Sequence, residues 1–471
     1  MNLSKPKTKH ALSLFSLVMI TVGSVDSVRN LPATALFGSE LVFFFFLGAL
    51  FFLIPCALVS AELASGWPKQ GGVYVWVKEA FGDRFGLLAI WFQWIENVIW
   101  YPAILSFVAG TVGYLIDPAL ASNKVFLVSV ILSSFWGATI VNLLGMKSSA
   151  RFSTFCTMAG LLLPMSLIIG LGCVWFFSDA PLQIAFTKTA LLPDFKNPTM
   201  WVSLTGIILS FCGVEIATVH ANDVHNPQHA FPRALLYSVL IILGTLVMGS
   251  LAIAVVVPQA QISLVAGIMQ AFEIFFNAYH LGWLLPLVAV MLVIGGLGTV
   301  SNWIIAPTKG LLVAAKEGHL PPVLQKENRH GAPKTLLIAQ AVIVSLLSLV
   351  FLLMPTVNAS YWLLTALAAQ LYMLMYLLMF AAGIYLRIKS PEQHRLFKIP
   401  GNYWGMGLVA GAGIIGCITT FCVGFIPPDN IQVGSILRYE TLLISGLILM
   451  CLPPFITYRF RKSSWEVVTA A

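Results

Sequence analysis

The sequence predicts an all-α protein that crosses a membrane about twelve times. Of its 471 residues, 59% are hydrophobic and only 9% are charged, whereas a soluble domain carries roughly 25% charged residues. The hydrophobic residues are gathered into segments of about 20 residues, the length that an α-helix needs to span a bilayer. Composition and segment length together indicate a polytopic membrane protein, whose first partner is the lipid bilayer.

Twelve apolar segments can be placed along the chain. They lie near residues 11–37, 41–62, 85–114, 125–145, 152–178, 199–220, 233–257, 282–315, 335–354, 359–387, 404–426 and 438–458. Two shorter tracts, at residues 71–82 and 266–280, are amphipathic, so we expect them to lie along the membrane interface or to re-enter the membrane.

The distribution of basic residues predicts the orientation in the membrane. Lys and Arg are concentrated at the N-terminus, near the C-terminus and in one set of alternate connections. The opposite set holds only Lys124, Lys188, Lys196 and Arg438. The positive-inside rule then places both termini in the cytoplasm. The formal net charge of +8 follows from this asymmetry, and we expect no nucleic-acid partner.

Other functional classes find little support in the sequence. The seven cysteines lie in apolar segments without CxxC spacing, which is typical of small core residues rather than of disulfides or metal ligands. His220, His225 and His229 suggest a metal site, but only Asp223 joins them, so we expect no metal. We find no catalytic nucleophile or paired acids of an enzyme, and expect no cofactor and no cleavable signal sequence.

Two predicted spans carry residues that do not suit an unbroken lipid-facing helix. The first contains Asp26, Arg29 and Pro32, and the sixth contains Gly213 and Glu215. Charged groups within a span mark functional sites, and interrupted helices at matching places in inverted repeats point to a substrate site near the bilayer midplane. The two interruptions are five spans apart, which predicts two five-span repeats of opposite orientation.

Six tracts follow one another along the chain in a recognisable order. They are IPCALVSAELASGWPKQGGVYVWVKEAFG (54–82), LPDF (192–195), FCGVEIATVHANDVHNP (211–227), AGIMQAF (266–272), SNWIIAPTKG (301–310) and IPPDNIQ (426–432). In this order and spacing, the chain resembles the amino acid–polyamine–organocation superfamily of permeases along almost its whole length. Within that superfamily it is most similar to bacterial glutamate/γ-aminobutyrate antiporters.

The resemblance implies a single transporter domain over residues 1–471. Its parts are a cytoplasmic N-terminus (1–10), a first inverted repeat (11–178), a second inverted repeat (199–387), two peripheral helices (404–458) and a cytoplasmic tail (459–471). The resemblance also implies secondary active transport of an amino acid across the bacterial inner membrane by alternating access, and favours an exchanger. A proton-coupled uptake permease and a non-transporting amino-acid sensor are the alternatives, and the protein is expected to be a monomer or a homodimer.

A bound amino acid brings a carboxylate and an ammonium into a site of low dielectric. The carboxylate needs N–H donors such as an opened helix offers, and the ammonium needs carbonyl oxygens. We assign the first role to the backbone of Val25, Asp26, Ser27 and Val28, and the second to Phe211, Cys212 and Gly213. In the permeases, a Gly-Ser-Gly-like stretch stands where this chain has residues 25–27.

Three aromatic residues and one lysine match positions of the antiporters. Trp303 stands where relatives have an aromatic lid, and Tyr372 and Tyr376, spaced i, i+4 on one helical face, match aromatic positions of the tenth helix. Lys309 matches a basic position that follows the tryptophan, and it is a candidate gating residue. The alternative interpretations are core packing for the aromatic residues and a cation that snorkels to the surface for Lys309.

Four of the charged residues within predicted spans are further candidates for the site: Asp26, Arg29, Glu96 and Glu215. Asp26 and Arg29 are three residues apart, so they either pair locally or leave Arg29 to face an anionic side chain of the substrate. Glu96 is a second candidate for proton coupling, and it could instead cap a neighbouring helix or pair with Arg29. Glu215 has no basic residue within a helical turn. Because burial without a partner favours the neutral acid, we expect Glu215 to couple transport to protons.

Overall fold

The structure, a computed structural model, describes residues 13–69, 71–145, 155–178, 180–193, 196, 198–217 and 227–465. The α-helices in these ranges are α1 (Leu14–Val25), α2 (Leu31–Ala35), α3 (Leu41–Gly48), α4 (Ile54–Gly66), α5 (Val73–Phe81), α6 (Asp83–Ile116), α7 (Lys124–Leu143), α8 (Leu163–Phe176), α9 (Lys188–Leu191), α10 (Ser203–Phe211), α11 (Val214–Ala217), α12 (Pro227–Ala254), α13 (Gly267–Ala278), α14 (Leu285–Ala314), α15 (Lys334–Ser348), α16 (Val350–Leu353), α17 (Val357–Lys389), α18 (Asn402–Val423) and α19 (Ile436–Arg459). The described residues form no β-strand, so the prediction of an all-α fold is confirmed.

Short turns of other helix types extend or join several of these helices. The 3₁₀ turns are Val28–Asn30, Gly38–Glu40, Pro118–Ser122, Pro198–Val202, Gln259–Gln261, Gly282–Leu284, Pro322–Gln325 and Ser463–Trp465. The π-helical turns are Ala49–Leu53, Met158–Leu162 and Ala315–His319. The first of these joins α3 to α4, so that the second predicted span is one helical stretch.

The described part of the chain contains eleven helical stretches that are long and apolar enough to cross a membrane. They correspond to eleven of the twelve predicted spans, and the prediction of a polytopic membrane protein is confirmed. The remaining span, predicted at residues 199–220, forms the shorter apolar helix Met200–Phe211. It stops short because the helix breaks after Phe211, and residues 218–226 lie outside the described ranges.

The two amphipathic tracts form α5 and α13, and both pack against spanning helices. Helix α5 lies on α6 and α17, whereas α13 lies on α8, α12 and α14. Each buries one face, and on α5 this face includes Val73, Trp76 and Val77. Amphipathic helices of this kind bury their apolar face against the bundle, and the placement of both tracts at the membrane interface or within it stays a prediction.

Helices α6 and α17 occupy the centre of the bundle and contact each other along their length. In the apolar stretch of α17, 83% of the residues are buried inside the protein, and in that of α6 72% are, against 11% for α19. A helix that faces lipid must be apolar, whereas one that faces protein can carry polar groups if they are hydrogen-bonded. The two central helices can therefore supply polar side chains to a site inside the bundle.

A buried ion cluster ties the end of α17 to α4. Glu62 accepts a hydrogen bond from Nη1 of Arg387, and its Oε1 lies 3.3 Å from Nε of Arg395. The other carboxylate oxygen of Glu62 accepts a hydrogen bond from the backbone N–H of Ile399 at 2.8 Å. The side chains of all three charged residues are buried. The cluster holds the connection after α17 against α4, and the sequence analysis did not single it out because Glu62 stands at the end of a predicted span.

We expect Glu62→Gln to destabilise the protein by about 3–5 kcal/mol, because two guanidinium groups would remain buried without their carboxylate. Thermal unfolding of the purified protein in detergent measures the loss. The matched control is Glu79→Gln, which removes an exposed ion pair with Lys69 (3.0 Å) and should cost at most about 1 kcal/mol. Equal shifts of Tm in the two variants would contradict a stabilising role of the cluster.

Candidate functional site

The first span is broken between Val25 and Val28. Helix α1 ends at Val25, and Asp26 and Ser27 have extended backbone (φ −69°, ψ 135° and φ −154°, ψ 123°). The chain then forms a 3₁₀ turn and α2. Pro32 lies in the first turn of α2, where its missing N–H costs nothing, whereas an unbroken helix through this point would clash with the proline ring. The prediction of a discontinuous first helix is confirmed.

The sixth span is broken at Cys212 and Gly213. Helix α10 ends at Phe211, Cys212 is extended, and Gly213 has a φ of +106° before α11 begins. A Cβ atom at position 213 would lie 2.8 Å from the carbonyl oxygen of Ser24. Only glycine suits both the positive φ and this close approach. The two breaks therefore touch each other, and the prediction of a second discontinuous helix is also confirmed.

A polar cavity opens beside the two breaks. The space inside it, with the part open to solvent included, is about 900 Å³. Its walls come from the first break, α6, residues 156–161 and α14. The predicted site residues that line it are Val25, Asp26, Ser27, Val28, Arg29, Glu96, Cys212, Trp303 and Tyr372.

The other predicted site residues do not line the cavity. Phe211 is buried, with its ring 5.7 Å from that of Phe45, and Lys309 is exposed further along α14. Gly213, Glu215 and Tyr376 lie behind the cavity wall formed by Cys212 and Tyr372. The structure therefore places these five residues outside the cavity wall.

Asp26 and Arg29 are held by different helices. Oδ2 of Asp26 accepts a hydrogen bond from Oγ1 of Thr245 on α12 at 2.7 Å. Nη1 of Arg29 donates to the hydroxyl of Tyr361 on α17 at 3.2 Å, and its guanidinium lies 5.2 Å from the ring of Trp100 on α6. Within the described ranges the two residues form no salt bridge. The alternative in which they pair locally is wrong, because the break between them removes the helical i, i+3 geometry.

Glu96 lies on the α6 wall of the cavity and is 3% exposed. Its Oε2 accepts a hydrogen bond from the side-chain amide of Asn97 at 3.0 Å. Glu96 forms no salt bridge with Arg29 in the part of the chain that the structure describes. The cavity therefore combines one permanent positive charge with two carboxyl groups, Asp26 and Glu96.

Glu215 is the centre of a hydrogen-bond network behind the cavity wall. It accepts hydrogen bonds from the hydroxyls of Tyr372 at 2.8 Å and Tyr376 at 2.5 Å, and from the amide of Gln93 at 3.3 Å. The hydroxyl of Tyr376 also accepts a hydrogen bond from the N–H of Gly213 at 3.1 Å. The expectation that Glu215 is buried without a partner is wrong, because α17 and α6 pack against the second break and supply three donors.

Trp303 lies between the cavity and the aromatic residues of α6. Its ring is 6.1 Å from that of Trp100, and its carbonyl oxygen accepts a hydrogen bond from the hydroxyl of Tyr101 at 2.8 Å. Trp303 is half-buried and lines the cavity.

Sequence reasoning missed several residues of the cavity wall. Asn97 and Trp100 lie there beside Glu96, and their place in the tract WFQWIENVIWYP, close to a charged residue, was a usable signal. Gly160 and Gly295 also lie there, and a Cβ at position 160 would be 2.0 Å from Cα of Gly295. Small residues let membrane helices approach closely, but the sequence does not show which two glycines meet.

A bundle of membrane-spanning helices with two broken helices beside a buried polar cavity has the architecture of a membrane transporter. Residues 12–447 match the family model described as amino acid permease. Because this match covers almost the whole chain, the protein belongs to the amino acid permease family. The family and the named relatives are transporters rather than enzymes.

Three relatives illustrate how this chain compares with other transporters. It is 47% identical over 459 residues to an uncharacterized transporter of Legionella pneumophila, covering 98% of each chain. It is 32% identical to a glutamate/gamma-aminobutyrate antiporter of Lactococcus lactis, over 95% of this chain and 90% of the relative. It is also 23% identical to a probable agmatine/putrescine antiporter of Lactococcus lactis, over 84% of this chain and 83% of the relative.

We expect Gly213→Ala to abolish most transport, because a Cβ at this position meets the carbonyl oxygen of Ser24 and the positive φ costs a further 1–3 kcal/mol or so. Uptake in membranes, normalised to the amount of folded protein, measures the effect. The matched control is Gly206→Ala on α10, where a Cβ would make only an ordinary contact of 3.5 Å with Trp362. If both variants transport like the wild type, the contact between the breaks is not needed.

Proposed function

We propose that this protein is a secondary active amino-acid transporter that works as an exchanger by alternating access. The observation that carries the proposal is the contact between two broken helices at the wall of a buried polar cavity. Opened membrane helices expose backbone groups that bind the charged ends of a substrate. The similarity to proteins named as antiporters supports exchange rather than one-way uptake.

The proposal assigns a role to each part of the cavity. The backbone of residues 25–28 binds the substrate carboxylate, and carbonyl groups near Cys212 bind its ammonium. Trp303 acts as a lid, and the bundle that contains both breaks rocks against the remaining helices. The two repeats, residues 11–178 and 199–387, form the two halves of the transporter, and both termini lie on the cytoplasmic side of the inner membrane.

Exchange makes a direct prediction. Proteoliposomes preloaded with a labelled amino acid should release it several-fold faster when the same unlabelled amino acid is supplied outside, because only a loaded exchanger returns across the membrane. All twenty amino acids and their decarboxylated amines should be screened in this way. Liposomes without protein and liposomes with Gly213→Ala serve as controls. Release that ignores external substrate, together with uptake driven by a pH gradient, would instead identify a proton-coupled permease.

Proton coupling at Glu215 is a second element of the proposal, and the tyrosine network favours it. A carboxylate that accepts three hydrogen bonds holds α11, α17 and α6 together. Protonation replaces one acceptor by a donor and weakens this attachment at the second break. A group whose protonation favours one of two conformations makes their populations depend on pH.

We therefore expect Glu215→Gln to flatten the pH profile of transport between about pH 5 and 7, while substrate binding is retained. Counterflow measured from about pH 4.5 to 8 tests this. The matched control is Glu273→Gln. Glu273 is a half-buried carboxylate that, like Glu215, accepts a hydrogen bond from a tyrosine (Tyr114), but it does not line the cavity. The control should keep the wild-type profile. If Glu215→Gln also keeps the wild-type pH profile, Glu215 has a structural role and Glu96 becomes the candidate for proton coupling.

A further inference from the structure

We propose that Arg29 forms a subsite for an anionic group at the far end of the substrate, distinct from the groups that bind the amino-acid carboxylate and ammonium. The proposal rests on the proposed function, because it assumes that the cavity binds amino acids. It names the substrate class as amino acids that carry a second carboxylate or a group of the same charge.

The guanidinium of Arg29 is fixed in place along one edge only. Nη1 donates to the hydroxyl of Tyr361, and the planar group stacks 5.2 Å from the ring of Trp100 and 5.9 Å from that of Tyr361. Nε is buried without a hydrogen-bond partner. The side chain lines the cavity, and although Nε itself is not exposed there, the guanidinium edge that carries it has no protein partner, so that a small rotation of the side chain would present this edge to a bound molecule. That edge matches the two oxygens of a carboxylate.

The charge of Arg29 needs compensation that the described residues do not fully supply. Arg29 is 3% exposed, and an arginine cannot lose its proton. A buried charge without a close partner is strongly destabilising, and Arg29 forms no salt bridge with any residue that the structure describes. The guanidinium stays charged whatever the protonation state of the two carboxyl groups of the cavity, Asp26 and Glu96. Arg29 therefore remains the group of this cavity that favours an anion.

The place of Arg29 separates this subsite from the amino-acid end of the substrate. It follows the break by two residues and reaches towards α17 and α6, whereas Cys212 lies at the second break. Asp26, with Oδ1 also buried and unpaired, lies towards α12 and can face an ammonium. A molecule that extends across the cavity to Arg29 therefore meets the carboxyl group of Asp26 near one end and the guanidinium of Arg29 at the other.

The competing interpretation is that Arg29 is a structural brace. Its contacts with Trp100 and Tyr361 join the first break to α6 and α17, and they would serve the fold even if no anion entered the cavity. A brace does not distinguish a charged ligand from a neutral one of the same shape. The two interpretations therefore differ in the ratio of two affinities and not in the amount of folded protein.

The test is binding of glutamate and of glutamine, which have nearly the same shape but differ in the charge of the distal group, to full-length protein in detergent at pH 7. We expect the wild type to bind glutamate at least tenfold more tightly than glutamine. Arg29→Gln should bring the two affinities within about threefold of each other by weakening glutamate binding alone. The control Arg438→Gln, which removes an exposed arginine bound to the carbonyl of Leu353, should keep the wild-type ratio.

Two further variants keep the test decisive if Arg29→Gln does not fold. Arg29→Lys retains the charge but not the planar edge, so it should keep a reduced preference for glutamate. Tyr361→Phe removes the hydrogen bond that orients the guanidinium, and should lower the preference while glutamine binding is unchanged. A preference that stays at the wild-type ratio in all folded variants would overturn the proposal and leave Arg29 as a brace.

The remaining outcomes separate this proposal from the proposed function. If the wild type binds neutral amino acids but neither glutamate nor aspartate, the anionic subsite is wrong and the amino-acid transporter stands. If none of the twenty amino acids binds, the proposed function itself is wrong, and the subsite falls with it.

Discussion

The contact between the two broken helices is the constraint on which the rest of the site depends. At Gly213 the second break approaches the carbonyl of Ser24 so closely that no side chain fits between them. This approach brings Cys212 to the cavity that Asp26 and Ser27 also line. It also directs the chain beyond Gly213 towards α17, so that Glu215 meets two tyrosines. The backbone contact at Gly213 therefore positions both the cavity and the hydrogen-bond network of Glu215.

The charges of the cavity are fixed by different parts of the bundle. Asp26 is hydrogen-bonded to α12, Arg29 to α17, and Glu96 belongs to α6. Charges in a medium of low dielectric interact strongly and over longer distances than in water. A movement of one helix relative to the others changes the separation of these charges, so that ligand binding, protonation and helix position are physically linked.

The central position of α6 and α17 explains how so many polar groups can lie inside a membrane protein. Both helices are surrounded by other helices, and their polar side chains find partners there rather than in lipid. Gln93, Glu96 and Tyr372 are all hydrogen-bonded to other side chains inside the bundle. The peripheral α19 faces outward along most of its length and has an apolar surface. Burial within the bundle therefore decides which helices can carry the polar side chains of the site.

The sequence by itself determined the fold class, the membrane spans and both helix breaks. These depend on local properties: apolar residues over about 20 positions, Pro32, which suits the start of a helix but not its interior, and Gly213, which can adopt the positive φ of a break. The tertiary structure alone decided the partners, because Glu215 and Tyr372 are 157 residues apart and Arg29 and Tyr361 are 332 apart. The alternative in which Asp26 pairs with Arg29 is wrong for the same reason. Helical spacing brings side chains together only where the helix is intact, and the break between these two residues gives each of them a partner from another part of the chain.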